Sequence, residues 1–159
     1  MRRLILLAVL ALALAGASAV TPTAVAEKIP AVELCELTKN PQQYDGKVVR
    51  VRVAYFFDTT ATDDPFYFFY DSACEGRERR IAPEFETMEK GARARAFKLM
   101  EKHTRKNGAG TAGRVRLIVV GRFSSSKGGY GHLSQHPFGF DVTSVERVRP
   151  IDAGAVWPD

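Results

Sequence analysis

The chain has 159 residues, 45% of them hydrophobic and 26% charged, and a formal net charge of +5. That length suits one folded domain, and neither an internal repeat nor a second domain shows in the composition. The charge is too mild to imply a nucleic-acid partner by itself.

Residues 1–19 read as a secretory signal peptide. Arg2 and Arg3 supply the positive start, Leu4 to Ala15 the apolar run, and Ala17-Ser18-Ala19 a small-x-small cleavage site. Ala24-Val25-Ala26 is a second such site. The run is shorter than the roughly 20 residues that a permanent anchor needs, and no later segment is apolar enough to span. The mature protein is expected to be exported, to the periplasm or the extracellular medium. Without Arg2 and Arg3 it holds 21 basic against 18 acidic side chains, a net +3. Within it, Arg77 to Arg122 holds 13 Lys or Arg against five Glu. Such asymmetry marks a solvated helix face, the plainer reading, or a face for an anionic partner.

Residues 20–30 form a polar leader, expected to be disordered. Val32, Leu34, Cys35 and Leu37 fit a short helix that Asn40-Pro41 stops. Asp45-Gly46 is a turn. From Lys47 to Phe57, Val49, Val51, Val53 and Tyr55 alternate with Arg50, Arg52, Ala54 and Phe56, the period of a half-buried strand. Residues 58–65 are a polar loop. Phe66 to Asp71, "FYFFYD", is a second strand, expected to have core on one face and the cover of a long helix on the other. A short third strand falls around Arg79 to Ala82. A helix then runs from Pro83 or Glu84 to about Lys106, on the 3.6-residue spacing of Phe85, Met88, Ala92, Ala96, Leu99 and Met100. Arg114 to Phe123 is a central strand and Phe138 to Val148 the last. Residues 31–150 form one domain and 151–159 a tail.

This order, two long strands, a short third, a helix and two more strands, points to a mainly β fold. The expectation is an OB-fold-like five-stranded barrel with its helix between strands 3 and 4, the alternative being a generic α+β roll. Cys35 and Cys74, an even pair in an oxidising compartment, read as a disulfide. It closes a loop worth about 4 kcal/mol in the chain-entropy model.

Two blocks carry a resemblance. The first is "CELTKNPQQYDGKVVRVRV", with Cys35, Leu37, Asn40, Pro41, Tyr44, Asp45, Gly46, Lys47, Val49 and Val51. The second holds Gly121, Phe123, Gly129, Tyr130, Gly131, His132 and Leu133. Together they resemble a group of small exported bacterial proteins of uncharacterised role, of the OB-fold, tRNA-anticodon-binding-like class. The resemblance implies fold and compartment and carries no catalytic residue. Residues 79–111 match nothing in it.

The candidate site is the glycine-rich loop "GGYGHL", which borders the usual binding face of such a barrel. Tyr130 offers an aromatic plate and His132 a titratable group; the plainer reading makes the loop a structural edge. Arg50 and Arg52 are the arginines placed to meet phosphate. Asp63, Asp64 and Asp71 are the carboxylates a nuclease would need, and no convincing nucleophile–base pair accompanies them. No catalytic residue, metal or cofactor is expected. The function read from the sequence is a non-enzymatic binding or interaction module whose partner is an envelope protein or small ligand. The alternative is a polyanion binder, for nucleic acid or anionic glycan, using residues 77–122, with nucleic acid the less favoured.

Overall fold

The computed structural model describes residues 28–59, 66–74, 76, 79–107 and 110–151. The expected signal peptide, most of the expected leader, Asp63-Asp64 and nearly all of the tail lie outside the described residues.

The fold is mainly β. A short strand β1 (Ala31–Glu33) leads into helices α1 (Leu34–Lys39) and α2 (Pro41–Tyr44). Pro41 sits in the first turn of α2, where its missing N–H costs nothing. Gly46 turns the chain with φ +73°, a conformation that favours glycine. Strand β2 (Val48–Asp58) follows, with Val49, Val51, Val53 and Tyr55 buried as their alternation requires. Then come β3 (Phe66–Tyr70), β4 (Ile81–Glu84), α3 (Lys90–Glu101), β5 (Thr104–Asn107), β6 (Gly110–Ser124) and β7 (Phe138–Pro150).

The strands pair in the order β1-β2-β3-β4-β7-β6-β5, and β2 also pairs with β6. The pairings of β2, β3, β4, β7 and β6 therefore return to the strand they began with. β4 and β7 run parallel, from Ile81↔Phe138 to Glu84↔Asp141. β6 is antiparallel to both β2 and β7, with register shifts in the latter pairing at Ile118/Val119 and Val120/Gly121. Gly121 is required at the second shift, because a Cβ there would meet the Asp141 carbonyl and the Phe140 ring.

Inside the ring, Phe69 packs against Tyr55, Phe85 and Phe140 at centroid distances of 5.7, 6.1 and 6.0 Å. Leu34, Leu37, Val51, Leu117, Val119, Phe123 and Val142 complete the core. Each such side chain contributes about 1.5–3 kcal/mol by leaving water. The Cys35–Cys74 disulfide fastens α1 to the β3–β4 connection, across a sequence separation of 39.

Four expectations about the elements are corrected. Val32, expected in the first helix, belongs to β1, in register with Val51. The helix does not run from Glu84 to Lys106: Pro83 and Glu84 belong to β4, held by their register with Phe140 and Asp141. Glu89 instead caps α3, its carboxylate accepting from the N–H groups of Gly91 and Ala92 at 2.7 Å each. At the other end α3 gives way to β5, which pairs with β6 from Thr104↔Gly113 to Asn107↔Gly110. Finally, five strands were expected, and β1 and β5 extend the sheet beyond them. No helix among the described residues is long and apolar enough to cross a membrane.

Candidate binding site

A pocket of about 550 Å³ opens where the end of β2, the start of β3, the end of β4 and α3 meet. Strand periodicity builds its wall. Tyr55 and Phe57, two apart on β2, face the same way and stack at 5.4 Å. Tyr67 lies opposite Phe57 in register. Phe85 meets Tyr55 edge-on at 5.6 Å, and Phe97 of α3 meets Phe85 edge-on at 5.2 Å. Met100 adds an apolar wall, and Glu84, Glu86, Arg93 and Glu101 supply the charge. Arg93 Nη1 lies 3.5 Å from Glu86 Oε2.

Burial raises the Glu84 carboxyl above the usual carboxylate range, and the neighbouring charges of Glu86 and Asp141 add to it. Burial likewise pushes the Tyr55 phenol well above its usual range, so it stays protonated at neutral pH. The volume falls within the ≈ 300–1,000 Å³ typical of small-molecule sites. An aromatic wall beside a few polar anchors can hold a flat or apolar molecule and fix its orientation. The described lining holds no serine, cysteine, histidine or lysine.

The glycine-rich loop lies elsewhere, between β6 and β7. It begins at the Asp45-Gly46 turn, where Asp45 Oδ1 accepts from the Ser125 N–H at 2.6 Å and from its hydroxyl at 3.1 Å. Those bonds hold the Asp45 carboxyl below its usual range, the backbone bond most of all. The two sequence blocks that carry the resemblance therefore touch. Tyr130 is fixed by two backbone bonds to His136, N–H to carbonyl in both directions, at 2.8 and 3.2 Å. Its hydroxyl accepts from the Lys127 N–H at 3.1 Å. Its ring lies over Gly139, where an added Cβ would stand 2.5 Å from it. His132 is exposed and opens a short 3₁₀ turn, His132–Ser134. Leu133, beside it, has φ +52° and is 73% exposed.

The loop ends by burying His136, 5.9 Å from the Phe68 ring and 6.3 Å from Phe66. The Arg80 guanidinium lies 4.3 Å over Phe68. Arg80 and His136 thus cover the outer face of β3, where cover from the long helix was expected. His136 Nδ1 finds no hydrogen-bond partner among the described residues. Burial, and then the Arg80 charge, pulls its pKa down, so the ring stays neutral.

Arg50 and Arg52 stand on the outer face of β2, opposite Val120 and Ile118 of β6. The loop leaves β6 only after Ser124, so at least six residues of strand, about 20 Å, separate Ile118 from its start. Arg50 is held by Glu146 in a two-pronged pair, and Arg52 more loosely by Glu33 at 3.4 Å. The candidates named from the sequence are therefore not brought into one cluster. Cys35, Cys74 and Asp71 approach each other within 4.8 Å, but both sulfurs are joined in the disulfide, and Asp71 Oδ1 accepts from the Ala73 N–H.

The pocket was missed because Tyr55, Tyr67, Glu84 and Phe97 come together only through long-range pairing. The one local sign was the same-face aromatic pair Tyr55 and Phe57. No family model, curated protein or solved structure matches the chain.

Proposed function

We infer that this protein is an exported, non-enzymatic binding module built on a five-stranded barrel of the OB-fold class, and that it carries a small ligand in the aromatic pocket. The ring of strand pairings, with β4 parallel to β7 and the helix following β4, supports the barrel reading. So does the contact between Asp45 and Ser125, which joins the two blocks of the resemblance. Export is supported by the signal-peptide pattern of residues 1–19 and by the disulfide, which persists in oxidising compartments.

The observation that carries the ligand reading is the pocket itself, walled by Tyr55, Phe57, Tyr67, Phe85 and Phe97. Binding is favoured over catalysis because its described lining holds no serine, cysteine, histidine or lysine. The test is fluorescence titration with N-phenyl-1-naphthylamine, a neutral probe that brightens in apolar sites. Saturable binding that Thr59→Trp, which fills the mouth, weakens by at least about tenfold supports the pocket. Absent or unsaturable binding, or binding unchanged by Thr59→Trp, refutes it.

A further inference from the structure

A second concave surface lies on the outer face of β2, β6 and β7. Arg52, Arg116, Arg147 and Arg149 ring Ile118 and line a groove of about 190 Å³. Register explains the convergence. Ile118 is flanked by Arg52 on β2 and Arg147 on β7, and Arg116 lies directly opposite Arg149. The inward neighbours Val51, Val53, Leu117 and Val119 are buried, so these alternate positions must point out. All four arginines are exposed, and Ile118 forms a half-buried floor.

Like charges directly opposite one another destabilise a sheet. Beside the groove, Arg50 is clamped by Glu146. In the groove, Arg52 has Glu33 at 3.4 Å, and the side chains of Arg116, Arg147 and Arg149 have no ion pair or hydrogen bond among the described residues. Four guanidinium groups thus converge on a small apolar floor against one loosely held carboxylate.

We propose that this groove binds the phosphate group of a phosphate ester. Guanidinium forks match phosphate oxygens in two-pronged, charge-assisted bonds. A bound phosphate anion offsets the repulsion between Arg116 and Arg149, which supplies part of the binding energy. Of the basic stretch 77–122, only Arg116 takes part, so the anion site is made by the sheet face and not by the helix. The ester is a soluble molecule or a lipid headgroup, and the probes separate the two. The groove shares no lining residue with the aromatic pocket, so neither reading rests on the other.

The test is calorimetric titration with inorganic pyrophosphate, and flotation with phosphatidylglycerol vesicles against phosphatidylcholine vesicles. It compares the native protein, the Arg116→Gln/Arg149→Gln double variant, and a charge-matched control, Lys39→Gln/Lys127→Gln. The expected result is salt-sensitive pyrophosphate binding, weakened about thirtyfold in the arginine variant and kept in the control. The arginine variant should melt no lower than the native protein, because it loses a repulsion. Binding to phosphatidylglycerol vesicles alone, lost in the arginine variant, also supports the site and assigns it to lipid. Binding of neither probe, or equal loss in the arginine variant and the control, overturns it.

Discussion

Arg50 and Glu146, 96 residues apart in the chain, meet in a two-pronged pair: Nη2 to Oε1 at 2.8 Å and Nε to Oε2 at 2.9 Å. The pair reaches from β2 to β7 across β6, beside the register shift that bends β7. Both side chains remain about one-third exposed, 35% and 38%, so the pair contributes modestly. Arg50 holds the Glu146 carboxyl below its usual range. Its contribution is therefore present above the ordinary carboxylate pKa and lost as pH falls through the lowered one. Arg50→Gln and Glu146→Gln should each lower the melting temperature slightly, and the double variant little further. A thermal-melt cycle checks this at neutral pH, and the coupling should vanish on strong acidification.

The disulfide should contribute more. It closes 39 residues, worth about 4 kcal/mol in the chain-entropy model. Denaturant melts with and without reductant should differ by an amount of that order, and Cys74→Ser should match the reduced protein. Alkylation followed by mass spectrometry of the unreduced protein should find no free thiol.

Tyr130 is expected to act on the fold. Its ring covers Gly139 and its backbone pairs with His136. Tyr130→Ala should cost about 2 kcal/mol, below the range for fully buried aromatics because the ring is half-buried. Gly139→Ala should destabilise too, by displacing the ring. Neither change touches the pocket, so naphthylamine binding per folded molecule should be unaltered in both.

His136 makes stability depend on pH. Its folded pKa is lowered, first by burial and then by Arg80. The unfolded chain therefore binds its proton more readily. The stability held by neutral His136 is full above about pH 6.5 and is lost as pH falls from there through the lowered value. Melting temperatures measured from pH 7.5 to pH 5 should drop further in the native protein than in His136→Leu. Parallel curves would remove His136 from the account.

Much of the sheet is legible in the sequence because local alternation and burial agree. Val49, Val51 and Val53 face in while Arg50 and Arg52 face out, and the same logic yields β6 and β7. The helix was misplaced because two different structures shared one periodicity. Phe85 and Met88 enter the core from a turn, yet fall on the spacing of Ala96 and Met100. Leu99, expected in the same stripe, is 45% exposed. β5 reads "TRKN" and has no apolar alternation to reveal it; only its pairing with β6 makes it a strand. The arginine groove was half legible. Arg52 was named, but its neighbours Arg116, Arg147 and Arg149 join it only through the registers of three strands.

The small-ligand pocket is tested most directly by native mass spectrometry of protein purified gently from its own source. The native protein should carry a bound small molecule, released on unfolding, and Thr59→Trp purified in the same way should carry none. A native protein of bare polypeptide mass that also fails to bind the naphthylamine probe, or an adduct retained in full by Thr59→Trp, would contradict the pocket as the site of function.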